Sequence, residues 1–488
     1  MTTSELELYG FQLEDYKDLL PYRSRLLGSE MGTGKTPLAL KLDLGDRQKE
    51  SNKGFLRPMT LVVCLKSGVE NTWLKHYREW APQLKVITMD PKNRDKFTAA
   101  IKARSHDIYI CHWEGLRLER KIIHSVYWLG VIADEAQKAK NTKSQVFRAL
   151  QACKTKYKTA ITGTPADDKP QDMRAILYWL YPNFWLWKDE SVFRDTLLVY
   201  DWNEDGTYRK YHGIQKQMLP TFHKAIRPFY RRHLKKGHCC SKHPEGVAPQ
   251  MPDKTYRTIY TDLTPEQRKA YNQMRDEFVA WIGEHEDTPL VANVAVSQLI
   301  RLQQFACGSM ELIGYKEVKN KDGEIVKKPV YRMRDPSSKI DAIEDILDEL
   351  GEDRPVVVFT QFKQFAYLLA NRLRARKIDH ALFTGDTSPK DRYDIVQRFQ
   401  AGRLRVFIGT IAAGGTGLDL YRASTVVFAD RSWSPSANKQ AEDRLWRFGQ
   451  KNAVEVIDLV ARSTIENGRL QKISTKWEDI RLMVGDIR

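Results

Sequence analysis

Short runs of β-branched and aromatic apolar residues fall into two separate sets along the chain, and this spacing constrains the fold more than any other feature. The first set reads TLVVCL at 60–65, DIYIC at 107–111, WLGVIA at 128–133 and KTAITGT at 158–164. The second reads PVVVFT at 355–360, LRVFIGT at 404–410, STVVFAD at 424–430 and VEVIDLVA at 454–461. Brief apolar runs with no polar alternation mark strands buried on both faces, as in parallel sheets covered by helices. Two α/β lobes with parallel sheets are therefore expected. A chain of 488 residues also exceeds what one ordinary core accommodates.

Between the sets, from about 171 to 310, Trp, Tyr, Lys and Arg become frequent and strand-like runs thin out, so a mostly helical texture is expected. TPEQRKAYNQMRDEFVAWIG at 264–283 joins a Thr cap, a Pro in the first turn and apolar residues at helical spacing. Lys321-Asp322-Gly323 reads as a hairpin turn. The domain reading is a first lobe at 1–250 with a helical insertion at about 171–250. The second lobe is 251–488, preceded by a helical insertion at about 262–310 and a hairpin at about 311–334.

Ser29-Glu30-Met31-Gly32-Thr33-Gly34-Lys35-Thr36 carries the Gly-Lys-Thr end of a phosphate-binding loop. Gly32 and Gly34 would let backbone N–H groups approach phosphate oxygens at a helix N-terminus, Lys35 is placed to neutralise their charge, and the Thr36 hydroxyl can ligate Mg²⁺. The usual first glycine is displaced by one position, with Gly28 preceding Ser29. Asp134-Glu135-Ala136-Gln137 directly follows the apolar run WLGVIA. Ligands of parallel sheets sit at the carboxyl ends of strands, which positions Asp134 for the metal and Glu135 for the attacking water.

In the second set, Gln440, Arg444 and Arg447 of QAEDRLWRFGQ (440–450) stand at i, i+4 and i+7, so one helix face is expected to carry an amide and two guanidiniums toward a γ-phosphate. The stretch Gly414-Gly415-Thr416-Gly417-Leu418-Asp419 follows the run LRVFIGT and offers a second close-approach loop.

Lys plus Arg total 79 against 62 for Asp plus Glu, a formal net charge of +17, which favours a polyanionic partner without separating DNA, RNA and acidic protein. Six scattered cysteines form no disulfide framework, and the polar start MTTSELELYG is no signal peptide, so a reducing, intracellular setting is expected. No apolar run approaches the roughly 20 residues of a spanning helix, so no membrane partner is expected. His238, Cys239, Cys240 and His243 invite a zinc reading, but adjacent cysteines strain a tetrahedral site.

Taken together, these motifs resemble the Swi/Snf-type DNA translocases of helicase superfamily two, and the resemblance covers nearly the whole chain. In family order, Phe11-Gln12 matches the adenine-recognising glutamine motif, EMGTGKT motif I, and LVVCLKSGVENTWLKHYREWAP motif Ia. DEAQ matches motif II, and Thr162-Gly163-Thr164-Pro165 motif III. VVVFTQF, TIAAGGTGLDL and QAEDRLWRFGQ match motifs IV, V and VI, and Ser463-Thr464-Ile465-Glu466 echoes the family ending. Arg231-Arg232 in FYRRHLKKG, followed by TDLTPEQRKAYNQM, looks like the family's helical insertion. The chain departs from the pattern with DEAQ for DEAH, with Leu65-Lys66 where a proline is common, with Asp168 where Asn is common, and with Trp446 and Phe448 for His and Ile.

The resemblance implies two RecA-like parallel-sheet lobes with helical insertions, sharing one site for ATP and Mg²⁺. It implies catalytic roles for Lys35, Glu135, Gln440, Arg444 and Arg447, and ATP contacts from Gln12, Gly32, Thr33, Gly34, Lys35, Thr36, Gly415, Gly417 and Asp419. Thr36 and Asp134 would hold the metal, and Gln137, Thr162 and Thr164 would couple it to motion. Lys66, His112, Trp113, Arg231, Arg232, Thr410 and Gly414 are the implied DNA contacts, although a buried tryptophan is more often a core residue. The implied activity is ATP-driven movement of a monomer along double-stranded or forked DNA, remodelling or annealing forks or displacing bound proteins. With motifs running from residue 11 to 466, targeting is expected from elsewhere, either from DNA shape such as forks or from a partner protein. A strand-separating DNA or RNA helicase and an ATP-gated DNA-binding scaffold remain as alternatives.

Overall fold

The computed structural model describes residues 7–52, 58–90, 93–202, 209–237, 242–284, 291–319, 325–414 and 418–486. The chain forms two lobes, Met1–Met251 with Lys476–Arg488 and Pro252–Thr475. In the first lobe, strands β1 (Ser24–Leu27), β2 (Thr60–Cys64), β3 (Val86–Thr88), β4 (Ile108–His112), β5 (Trp128–Asp134) and β6 (Thr155–Ile161) precede a hairpin of β7 (Leu198–Trp202) and β8 (Arg209–Ile214). After them comes the short β9 (Tyr230–Arg231). The sheet runs β3-β4-β2-β5-β6-β1-β9, and all its pairings are parallel.

Continuous apolar strands produce a core on each side of this sheet. Leu61, Val63, Val131 and Ala133 pack into one cluster, while Val62, Cys64, Ile132 and Ile161 pack into another. Successive residues of a strand point to opposite faces, so a run such as TLVVC suits only a sheet covered on both. β1 escapes that pattern because SRLL begins with polar residues. Arg25 is nonetheless fully buried, held by Asp46 through Nη1 at 2.6 Å and Nη2 at 2.7 Å.

The second lobe contains β10 (Lys254–Thr261), a hairpin of β11 (Ser309–Lys319) and β12 (Ile325–Arg334), then β13 (Val356–Thr360), β14 (His380–Phe383), β15 (Val406–Thr410), β16 (Thr425–Phe428) and β17 (Val454–Ala461). Its sheet runs β10-β17-β16-β13-β15-β14, again parallel throughout. The Lys321-Asp322-Gly323 turn lies outside the described residues.

The stretch between the two strand sets is less helical than its texture suggests. It holds the helices Asp172–Leu180, Glu190–Leu197, Leu219–Ile226, Pro265–Glu284 and Val291–Cys307, but also β7 to β10. The β-branched and aromatic residues of KTYRTIYT extend the second sheet by an edge strand paired with β17 over its whole length. Among the described residues, no helix is long and apolar enough to cross a membrane.

Candidate nucleotide site

Strand register assembles the first-lobe site. β5, β6 and β1 are neighbours, and Asp134 and Leu27 both face Ile161. The residues that leave the sheet next, Glu135, Thr162 and Gly28, therefore emerge side by side at the carboxyl edge, where parallel sheets bind ligands. Three motifs spread over more than a hundred residues meet in this way without any long-range signal in the sequence.

The phosphate loop joins β1 to the helix Lys35–Ser51. Gly32 and Gly34 sit at φ +78° and +72°, a left-handed region that glycine enters at little cost. At Gly34 the need is also steric, since a Cβ would stand 2.2 Å from Gln12 Nε2. Gln12 is buried and donates from that nitrogen to the carbonyls of Thr33 (2.9 Å) and Gly34 (2.8 Å), bracing the loop. The displaced glycine has a reason as well. A Cβ on Gly28 would fall 2.3 Å from the Tyr230 ring, whereas the Ser29 hydroxyl accepts from the His233 backbone N–H at 3.1 Å. Lys35 Nζ donates to the carbonyls of Ser29 and Glu30, both at 2.7 Å. Burial, opposed by the charges of Glu135 and Asp134, pulls this ammonium down to about 8.

Asp134 ends β5 with its carboxylate gripped from two sides: Trp73 Nε1 donates to Oδ2 at 2.9 Å and the Glu135 N–H to Oδ1 at 3.0 Å. Trp113 Nε1 donates to the Asp134 carbonyl at 3.0 Å. Burial first, then the charge of Glu135, raises the Asp134 carboxyl above the usual carboxylate range. Glu135 holds φ +51°, an uncommon value for a residue with a side chain, and Gln137 Nε2 donates to its Oε2 at 2.5 Å. Thr162 Oγ1 accepts from the Thr164 N–H at 3.0 Å. Among the described residues, Gln137 Oε1 and Thr164 Oγ1 are buried with no hydrogen bond.

In the second lobe, Gln440 lies in the helix Pro435–Glu442, but Arg444 and Arg447 follow its end, so the expected single helix face does not form. The helical pattern is broken because the Leu420 N–H takes the Arg444 carbonyl at 3.0 Å and Gln450 Nε2 takes the Leu445 carbonyl at 3.3 Å. The break brings Arg447 to Asp419, with which it forms an ion pair, and to the Leu418 carbonyl at 3.0 Å. Two residues expected at the nucleotide from different motifs are thereby joined. Gly415 and Gly417 lie outside the described residues.

A model of the SNF2-related domain matches residues 19–309, and one of the helicase conserved C-terminal domain matches 338–449. The chain belongs to the SNF2-related family. Transcription regulatory protein SNF2 of Saccharomyces cerevisiae is 26% identical over 93% of this chain and 26% of its own length. An uncharacterized ATP-dependent helicase of Mycoplasma genitalium is 27% identical over 93% of this chain and 40% of its own. The chain thus spans well under half the length of these relatives. A solved SWI2/SNF2 ATPase core of Sulfolobus solfataricus, in complex with dsDNA, is 24% identical over 98% of this chain and 97% of that one, with a TM-score of 0.42.

The DNA contacts expected of an SNF2-family chain fall into two groups. Lys66 is exposed at the start of a short helical turn, and His112, partly buried at the end of β4, feels its charge. Gly414 closes the turn Ile411–Gly414, and Thr410 is buried at the end of β15. Arg231 is turned toward Asp18 at 3.2 Å and Asp15 at 3.6 Å. Trp113 and Arg232 depart from the expectation. Trp113 is 6% exposed with its indole N–H spent on Asp134, and the Arg232 guanidinium is buried against Asp486 and two backbone carbonyls.

Sequence reasoning passed over Trp73, although it lies inside the run matched to motif Ia. Its indole N–H is one of two in that run, with Trp80, so the sequence alone does not single it out. Asp486 carries no local signal at all.

Proposed function

We propose that this SNF2-family chain is a DNA-dependent ATPase that tracks along duplex DNA. The observation that carries the reading is the shared strand-end row, which sets Lys35, Asp134, Glu135 and the Thr162 turn around one phosphate-binding loop. Lys35 meets the β/γ charge and the loop N–H groups cradle the phosphates. Asp134 and Thr36 suit Mg²⁺, which would neutralise phosphate charge and polarise the transferring group. The fit rests on Asp134, a hard oxygen donor held in place by Trp73. Glu135 orients and deprotonates the attacking water. Arg444 and Arg447 are planar cations of the kind that stabilise charge on phosphoryl oxygens. Gln137 and Thr164 each keep a buried polar atom unspent, ready to register the change from substrate to product.

The net charge of +17 supports a polyanionic track, and sequence-independent phosphate contacts would make binding fall steeply with salt. ATP turnover measured side by side with duplex, forked and single-stranded DNA and with RNA tests the assignment. Duplex or forked DNA is expected to stimulate several-fold, with the effect lost as salt rises. Equal turnover with and without DNA contradicts the proposal, and preference for RNA or single strands favours a strand-separating helicase instead.

A further inference from the structure

The row of strand ends at the nucleotide site has a fourth member. Leu27 faces Arg231 of β9 in register, so Arg232 leaves the sheet beside Gly28. From there residues 231–233 run along the start of the phosphate loop: the Gly28 N–H donates to the Arg231 carbonyl at 2.8 Å and the Glu30 N–H to the His233 carbonyl at 2.9 Å. The Arg232 guanidinium faces inward. Nη1 donates to the carbonyls of Gly28 (2.5 Å) and Gly163 (3.0 Å), while Nε and Nη2 form a forked pair with Asp486 at 2.7 and 2.6 Å. Little of either side chain reaches solvent, at 10% and 5% exposure.

Those two carbonyls belong to different motifs. Gly28 stands next to Ser29, whose carbonyl receives Lys35, and Gly163 lies between Thr162 and Thr164. Asp486 is itself fastened, since the segment before it accepts a hydrogen bond from Tyr230 Oη at the Val484 carbonyl, 3.3 Å away, and buries Ile480, Leu482, Met483 and Val484 in the first-lobe core. A planar guanidinium with its fork committed to a carboxylate has its remaining N–H directions fixed, which a flexible ammonium does not. Removing either partner strands a buried charge.

We propose that Arg232, oriented by Asp486, is a positioning residue for ATP hydrolysis: it ties the base of the phosphate loop to the Thr162-Gly163-Thr164 turn so that the two hold one geometry. The inference rests on the reading that this chain hydrolyses ATP at Lys35 and Glu135. In the full chain, Arg232→Lys keeps a charge for Asp486 but has no fork to reach both carbonyls, and Asp486→Asn keeps the shape of its side chain without the charge.

Steady-state ATP turnover, binding of a fluorescent ATP analogue and the thermal unfolding midpoint are measured for each variant. Both are expected to lose kcat about 10- to 100-fold, as for a small misplacement of reacting groups, with KM and analogue affinity nearly unchanged. Wild-type kcat in folded variants with only a lowered midpoint, or a change confined to KM and affinity, overturns the proposal. A wild-type chain that binds the analogue but turns over no ATP defeats the hydrolysis reading itself, a result seen before any variant is compared.

Discussion

Glu135→Gln is expected to lower ATP turnover by about 10²- to 10⁴-fold while nucleotide affinity stays close to wild type, the loss that removal of a general base produces. Glutamine keeps the length of the side chain and can still accept from Gln137, so the local network survives. The left-handed backbone at φ +51° suits glutamine no worse than glutamate. The ability to take a proton from water is lost. The substitution also lifts a neighbouring negative charge from Asp134, one of the causes that raise its carboxyl, so Asp134 ionises more readily and metal binding is retained. Single-turnover hydrolysis beside a titration with a fluorescent ATP analogue separates the two effects. Turnover within a factor of about two of wild type would remove Glu135 from the chemistry.

Lys35→Ala should fail differently, losing both affinity and rate. The ammonium is partly buried, bonded to two carbonyls of its own loop and close enough to Glu135 and Asp134 to feel their charge. Alanine leaves the Ser29 and Glu30 carbonyls without that donor, leaves both carboxylates without its compensating charge, and presents no charge to incoming phosphate. A turnover loss of about 10²- to 10³-fold, the cost of deleting one preorganised electrostatic group, should accompany a raised KM. Steady-state kinetics over a wide ATP range checks it. A KM unchanged from wild type would show that the phosphates are held elsewhere.

Much of this architecture was legible from local pattern. The runs TLVVC, WLGVIAD, VVVFT and VEVIDLVA became central parallel strands because a continuous apolar run fits only a sheet covered on both faces. The helix from Pro265 was announced by its cap, as Thr264 Oγ1 accepts from the Gln267 N–H at 3.3 Å. What stayed hidden depends on partners distant in sequence. β1 looks too polar to be a core strand until Arg25 meets Asp46 across 21 residues, and Arg232 looks like a DNA contact until Asp486 takes its fork from 254 residues away. Trp113, implied as a DNA contact though more often a core residue, proves buried with its indole N–H on the Asp134 carbonyl. The helix carrying Gln440 stops before Arg444, whose carbonyl is taken by the Leu420 N–H at 3.0 Å, a tertiary override of a good helical spacing. Motif identity thus named the chemical groups, and buried charge networks decided which way they point.

Movement along duplex DNA is the central claim, and release of a third strand from a DNA triplex measures it directly. With wild-type chain and ATP, the triplex-forming strand should be displaced while a tailed duplex of the same length stays paired, and Glu135→Gln should release neither. ATP hydrolysis that proceeds without displacing the third strand, or that separates the tailed duplex instead, would contradict the account.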